Sequence, residues 1–346
     1  MIRWLWLAAL ILTLGGCDEV KPDPKHGVKI AAYNVENLFD LNDDGDEYEE
    51  YIPNTSWGWD ENAYRAKLGN ISRVIADIKA DVIGLEEVES ETALKDLKAQ
   101  INREGFYYPY YAFSRSKNTV VSVALLSRYP IKSVLNHPVS SSREFRDIME
   151  VNLDIGGKTL RVFVNHWKSK SGPESMRVQS AKVLANRLKE LKPDEPYVLI
   201  GDFNSDVEEY KTFLRSRKHN DTDGITGINH VLNTIDQNGN PIRLSDLREC
   251  TQCRYNLWYD LPQDQRWSHQ YRNKGEALDN IIISPSLADG KGLEYQPGSF
   301  GRFTPDYLFR DGKIYRWQQS RKYPKHHLDE GYSDHLPIYA VLVVKP

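Results

Sequence analysis

A four-layer α/β sandwich, two mixed β-sheets packed face to face with helices outside, is the fold class that this 346-residue sequence predicts. Three observations carry it. Short apolar runs suited to buried strands alternate with amphipathic helical segments, the pattern occurs once in each half of the chain, and polar residues gather where the runs stop. Val28 to Tyr33 reads as a strand, and Ala63 to Ala80 as a helix, because Leu68, Ile71, Val74, Ile75 and Ile78 recur at helical spacing. Val82 to Leu85 is a buried strand, followed by a helix near Glu91 to Asn102 and a strand at Val120 to Ser127. Ile148 to Ile155 and Thr159 to His166, joined through Gly156-Gly157, form a hairpin. The pattern then repeats: the helix Glu174 to Leu191 stops before Pro193 and leads into the strand Tyr197 to Ile200. A long irregular region, Ser205 to Glu276, precedes the last strands, Leu278 to Ser284 and Leu336 to Val344.

A chain that is 40% hydrophobic and 27% charged suits an ordinary globular protein of one large domain. A formal net charge of -4 excludes a general polycation, so contact with a phosphate backbone has to come from a local patch or a bound metal.

The N-terminus reads as an export signal. Arg3 supplies positive charge, Trp4 to Leu14 is apolar but too short for the roughly 20 residues of a spanning helix, and Leu14-Gly15-Gly16-Cys17 follows. That ending resembles a bacterial lipobox, which implies lipid on Cys17, with a plainly cleaved signal or an uncleaved anchor as the alternatives, and a protein of a bacterial cell envelope, held to a membrane on its periplasmic face or at the cell surface. The expected organisation is a signal peptide over 1–17, a tether over 18–27 and a catalytic domain over 28–346. In an oxidising compartment Cys250 and Cys253 default to a local disulfide, with free thiols or a metal or redox role as the alternatives. A zinc knuckle needs four ligands, and the sequence has no second cysteine pair.

Chemistry collects at strand ends, as on a rigid scaffold that holds a site. Asn34 follows the first strand, Glu86 and Glu87 the second, and His166 closes the hairpin. Asp202 and Asn204 follow Tyr197 to Ile200, two residues apart and expected to share one target through strand alternation. Asp279 opens Asn280-Ile281-Ile282-Ile283, and Asp334-His335 precedes Leu336-Pro337-Ile338. Hard oxygen donors beside imidazoles outline a hydrolytic metal site. Taken singly, each residue also has a plain reading: Asp and Asn at strand ends often bond their own backbone, and His166 beside Trp167 could be a satisfied core histidine.

Six motifs in order, Tyr33-Asn34-Val35-Glu36-Asn37, Gly84-Leu85-Glu86-Glu87-Val88, Val164-Asn165-His166-Trp167, Gly201-Asp202-Phe203-Asn204, Leu278-Asp279-Asn280 and Ser333-Asp334-His335-Leu336-Pro337, resemble those of the endonuclease/exonuclease/phosphatase superfamily, with its deoxyribonuclease I-like fold. The resemblance spans nearly the whole mature chain and is greatest to bacterial secreted or lipoprotein members. Two departures stand out: glutamine is common where Glu86 stands, and an aromatic residue where Asn280 stands.

The resemblance implies a divalent-metal-dependent phosphoesterase. It implies that Asn34, Glu87 and Asp334 hold Mg2+ or Mn2+, Ca2+ being an alternative, with Glu36 contributing to a second position. Magnesium suits this set because it takes oxygen ligands, keeps waters and is held by one or two carboxylates plus substrate phosphate. It implies that His335, oriented by Asp279, activates water, that Asp202 and Asn204 orient that water and a phosphoryl oxygen, and that His166 donates to the phosphoryl group. The expected substrate is nucleic acid, DNA first and RNA as a further candidate, cleaved by a monomer, with a phosphatase, a phospholipase C-like hydrolase or a catalytically silent binding protein as the alternatives. Arg146, Lys168, Lys170 and Arg177 are candidate phosphate contacts, with plain solvated charge as the equal alternative for each. Asp40, Asn42, Asp44 and Gly45 open like a calcium loop, but its twelfth position is Tyr51 where a bidentate Glu is needed.

Overall fold

The computed structural model describes residues 22–114, 119–214, 216–272 and 274–345. Cys17 and the leader lie outside the described residues. In chain order the strands are β1 (Val28–Leu38), β2 (Val82–Val88), β3 (Tyr110–Phe113), β4 (Ser122–Ser127), β5 (Ile131–His137), β6 (Ile148–Ile155), β7 (Lys158–His166) and β8 (Tyr197–Asp202). They continue as β9 (Tyr255–Asn256), β10 (His269–Tyr271), β11 (Lys274–Glu276), β12 (Asp279–Ile283), β13 (Leu293–Tyr295), β14 (Gly301–Arg302), β15 (Phe309–Arg310), β16 (Lys313–Ile314) and β17 (Ile338–Val344). The long helices are α1 (Glu61–Ile78), α2 (Glu91–Arg103) and α3 (Glu174–Lys189). Asp60 starts α1 by accepting from the Asn62 and Ala63 amides, and Ser90 starts α2 by accepting from Ala93, each satisfying backbone donors that a helix leaves open at its first turn.

One sheet runs β13-β17-β1-β2-β4-β3 with β14 also on β17, and the other runs β5-β6-β7-β8-β12-β9. Each contains one parallel pair, β1 with β2 and β7 with β8. A parallel pair needs a long crossover, which α1 and α3 supply. Strand alternation then builds the four layers. Ile30, Ala32, Val82, Val162, Val164, Val198, Ile200 and Ile281 meet between the sheets. Tyr33, Ile83 and Leu85 face Ile71, Ile75, Leu94 and Leu97 of α1 and α2, while Phe163, Leu199 and Ile282 face Ala181, Leu184 and Leu188 of α3. The sheets approach closely at Gly84, where a Cβ would lie 2.7 Å from Ile200 Cδ1 and 3.1 Å from Val164 Cγ1.

The two sheets with outer helices agree with the expected architecture. β3 and β5 lie outside the expected strands, because both are short or solvent-facing edge strands without clean alternation: β5 exposes Lys132 to Asn136. The region after Asn204 is irregular as expected, yet it adds β9 to an edge and folds β10 and β11 into a hairpin over the sandwich end. Cys250 and Cys253 are joined by a disulfide with Cα atoms 5.5 Å apart. The expected tether is in part structured: Pro24–His26 forms a single 3-10 turn, and Pro24 Cγ lies 2.9 Å from where a Cβ on Gly156 would project. No helix among the described residues is long and apolar enough to cross a membrane.

Candidate active site

The site is the polar end of the layer between the sheets. Along β1 the inward positions run Ile30, Ala32, Asn34; along β7, Val162, Val164, His166; along β8, Val198, Ile200, Asp202; and β12 begins inward with Asp279 before Ile281. Each apolar stripe therefore ends in a group that can bind or transfer charge, as period-two alternation dictates. Glu86 continues the β2 stripe after Val82 and Gly84, so the same alternation would turn Glu87 outward. A register shift after Glu86 and a left-handed Glu87 (φ 66°) reverse that, acting as a bulge that aims Glu87 at the site.

Glu87 Oε1 accepts from Asn34 Nδ2 at 3.1 Å, and Oε2 accepts from the Asn37 amide at 3.1 Å. Asn34 Nδ2 also donates to Asp202 Oδ2 at 3.2 Å, tying the two sheets together. Glu36 does not join this pair. Arg316 grips its Oε1, with Nε at 2.8 Å, and the Trp317 amide donates to Oε2 at 3.1 Å. The expected contribution of Glu36 to a second cation position is therefore replaced by an internal ion pair, the usual partner of a buried carboxylate. Burial, reinforced by Asp334, still pushes the Glu36 carboxyl up to about 7 against Arg316 and Lys67. Lys67 is buried, donates to Tyr332 O at 2.9 Å, and is pushed by burial down to about 8.

On the other sheet β8 ends at Asp202, so Asn204 lies beyond the strand with φ 48°. The two side chains still converge, but a turn does this work in place of alternation: the Asn204 amide donates to Asp202 Oδ1 at 2.8 Å and its Nδ2 to Asp202 Oδ2 at 3.1 Å. Gly201 makes the approach possible, because at φ 119° a Cβ would lie 2.1 Å from Asn165 O. Asp202 Oδ2 is 3.8 Å from His166 Nε2 and 3.9 Å from His335 Nε2. Burial, offset by His335 and reinforced by Asp279, pushes the Asp202 carboxyl up to about 7. Burial and the nearby Arg146 charge hold His166 well below the usual imidazole range, so it is neutral, 3.6 Å from Glu87 Oε1.

His335 Nδ1 is 2.7 Å from Asp279 Oδ2, which also accepts from Ser268 Oγ at 2.5 Å. Burial works against a charged imidazole, but Asp279, Asp202 and Asp334 outweigh it and hold His335 well above its usual range. Asp334 stands 3.9 Å from His335 Nε2, 3.4 Å from the Arg316 guanidinium and 3.8 Å from His269 Nε2. Asn280 fills a structural place: its buried amide nitrogen reaches the carbonyls of Ser205, Ala277 and Leu278.

All the residues expected at the site from Asn34 to His335 thus meet at one end of the sandwich. The basic residues expected to contact phosphate divide. Arg177 is fully buried against Glu174 and the Lys168 and Ser169 carbonyls, so it cannot reach a substrate. Lys170 is paired with Glu209 and Glu276, and Lys168 with Glu144. Arg146 faces the site beside Tyr48 and His166. Sequence reasoning missed Ser268, His269, Lys67 and Arg316, which come from a helix and from the irregular regions, where no periodicity marks them. Asp44, Glu47 and Glu89 cluster at the rim, where Glu47 is occupied by the amides of Asp44 and Gly45.

A model of the endonuclease/exonuclease/phosphatase family matches residues 29–344, and the chain belongs to that family of divalent-metal-dependent phosphoester hydrolases. No curated protein matches the sequence significantly. Among solved structures, D. rerio TDP2 complexed with a single-strand DNA product is similar at 12% identity and a TM-score of 0.57, over 91% of this chain and 98% of that one. A family member from Leptotrichia buccalis is similar at 15% identity and a TM-score of 0.53, over 91% of this chain and 99% of that one. A mannosyl-6-phosphatase from Bacteroides thetaiotaomicron is similar at 17% identity and a TM-score of 0.51, over 91% of this chain and 99% of that one. These likenesses establish the fold.

Proposed function

We propose that this protein is an envelope phosphodiesterase that cleaves nucleic acid, with Mg2+ or Mn2+ as its metal. The observation that carries the hydrolytic reading is the convergence of Glu87, Asp202, Asp279 and Asp334 on two imidazoles and one exposed-end arginine. Such an excess of hard oxygen donors fits a divalent cation, with Glu87, Asn34 and Asp334 as its holders. When bound, the cation supplies neutralisation of charge on the phosphoryl and leaving oxygens.

The chain's own groups divide the remaining work. His335, kept protonated by Asp279, donates to a phosphoryl oxygen as negative charge grows there. Asp202, which ionises as pH rises through about 7 and is held in place by Asn34 and Asn204, takes the proton of the attacking water. This assigns water activation to Asp202, where the sequence reading gave it to His335. Neutral His166 donates Nε2–H to a second phosphoryl oxygen.

Two observations favour nucleic acid over a headgroup in the protein's own membrane. The β10–β11 hairpin places Tyr271, 58% exposed, beside the site with the Arg272 guanidinium 5.1 Å from its ring centroid, a surface on which a base can stack. Second, the first strand begins at the opposite pole. Val28 and Lys158 lie at the far ends of β1 and β7 from Asn34 and His166, about 20 to 26 Å away at about 3.3 Å per strand residue. A lipid on Cys17 would thus tether the domain by the pole opposite the site.

The test is a panel of plasmid, single-stranded DNA, RNA, sphingomyelin, inositol phosphates, mannose 6-phosphate and p-nitrophenyl esters, each with Mg2+, Mn2+ and Ca2+. Turnover of nucleic acid above the others is expected. Turnover of a lipid or sugar phosphate about a hundredfold above any nucleic acid would replace the nuclease reading with the phosphatase or phospholipase one. Release of a Cys17→Ser variant from membranes would support the anchor, and its continued retention would remove it.

A further inference from the structure

His269 lies at the site, and the hydrolytic reading gives it no part. It sits on β10, in a bridge directly opposite His335, and the two imidazole rings are 4.7 Å apart and tilted by 39°. Its Nε2 is 3.8 Å from Asp334 Oδ2, while Asp334 Oδ1 is 3.9 Å from His335 Nε2. One ligand atom from each of the three residues falls within 4.8 Å of the other two. Ideal tetrahedral zinc, with bonds of about 2.0–2.1 Å, separates its ligands by about 3.3 Å. Pairs that lie within 4.8 Å therefore need to close by at most about 1.5 Å to reach that separation. Asp279 already holds the far nitrogen of His335 at 2.7 Å, the carboxylate behind a ligating histidine that fixes its tautomer in zinc sites.

The geometry points to a second metal site, His269–Asp334–His335, that takes a transition ion such as Zn2+ and shares only Asp334 with the oxygen-donor position of Glu87, Asn34 and Asp334. Two imidazoles and a carboxylate suit zinc, which accepts nitrogen ligands readily, and discriminate against magnesium, which is held by oxygen. The bound ion replaces the Nε2 proton of His335. Arg316 opposes the ion through its 3.4 Å approach to Asp334 Oδ2, but its main hold is on Glu36, leaving Asp334 Oδ1 for the metal. Because His335 is the donor to the phosphoryl group, filling this site stops hydrolysis: the protein is inhibited by zinc while magnesium supports it.

The experiment is Zn2+ titration of the purified protein by calorimetry in the presence of Mg2+, followed by zinc X-ray absorption of the loaded protein. One Zn2+ per chain with two imidazole ligands is expected. His269→Ala and His269→Gln should each weaken Zn2+ binding by at least about tenfold, the cost typical of disturbing a metal's ligand shell, and shift the midpoint of zinc inhibition by the same factor. Zinc affinity in both variants within twofold of the parent, or a coordination shell of oxygen alone in the unsubstituted protein, would overturn the site. The binding and spectroscopic measurements decide this whatever substrate the hydrolytic site prefers.

Discussion

Glu86 and Glu150 are both fully buried on central strands, one in each sheet, and they are treated in opposite ways. Glu150 points outward under α3 and is surrounded by basic side chains: Arg187 Nε at 2.7 Å, His137 Nε2 at 2.9 Å and Arg161 at 3.3 Å. Although burial works against ionisation, these hydrogen bonds and the Arg187 charge hold the Glu150 carboxyl down to about 2. Glu86 points inward beneath the site, and neither of its oxygens has a hydrogen-bond partner among the described residues. Burial, then repulsion from Asp279 and Asp202, drives its carboxyl well above the usual range. Away from the site the fold neutralises a buried charge; at the site it stacks acidic groups and leaves them short of cations. Such an imbalance costs stability unless something positive binds there.

The largest effect should come from the acidic end itself. Loss of a positioned proton donor or acceptor costs about 10² to 10⁴ in rate, so His335→Ala and Asp202→Asn should each lower kcat by that range, with Glu87→Gln losing metal-supported turnover too. Circular dichroism and melting should show an intact fold, because these side chains finish the inner layer and do not fill it. Undiminished turnover by purified His335→Ala would remove the mechanism.

Glu150→Gln should instead leave kcat unchanged and destabilise the fold by about 3 kcal/mol, the cost of breaking a buried ion cluster. The pH dependence has a definite sign. A depressed folded pKa contributes stability above the unfolded value of 4.5 and loses it as pH falls toward about 2. The melting-temperature gap between parent and variant should therefore be wide at pH 7 and narrow at pH 3. A gap of equal width at both would mean that Glu150 acts through packing and not through charge.

Glu86→Gln tests the other half of the contrast and should have the opposite sign. A raised folded pKa makes its contribution most favourable below the unfolded value of 4.5, and that contribution is lost as pH rises through the folded one. Replacing the carboxyl with an amide should raise the melting temperature at pH 8, by about 1 to 3 kcal/mol of stability, and do little at pH 4. A variant less stable than the parent at pH 8 would mean that the carboxylate has a partner the fold needs.

This contrast also explains what could be read in the sequence. Asn34, His166, Asp202 and Asp279 were legible because each extends an apolar period-two stripe, so one rule gives both the strand and the direction of its last side chain. Glu87 was legible as a strand-end residue and by its motif, but not from alternation, which points it the wrong way until the bulge corrects it. His269, Ser268 and Arg316 come from segments whose course is set by tertiary contacts, such as Leu336 N donating to Ser268 O at 2.8 Å, and no local pattern announces them. Arg177 was misread for the complementary reason: a cation near a motif looks like a ligand contact, and its Glu174 partner, three residues earlier, was the available clue.

The smallest effect belongs to a region far from both carboxylates. The Cys250–Cys253 disulfide closes a very short loop, and the chain-entropy relation gives about 1.6 kcal/mol for such a closure at 25 °C. Cys250→Ser with Cys253→Ser should lower the melting temperature by a few degrees and leave kcat unchanged, since the bridge pins a turn beside Arg254, which donates to the Tyr197 hydroxyl at 3.0 Å on the flank of the second sheet. Combined with Glu150→Gln, the losses should add to within about 0.5 kcal/mol, as expected for sites without shared partners. A larger coupling, measured by denaturant unfolding of the disulfide variant, of Glu150→Gln and of their combination, would mean that the Arg254 flank and the α3 face strain one another through β8, and that the charge cluster around Glu150 is not the self-contained unit its geometry describes.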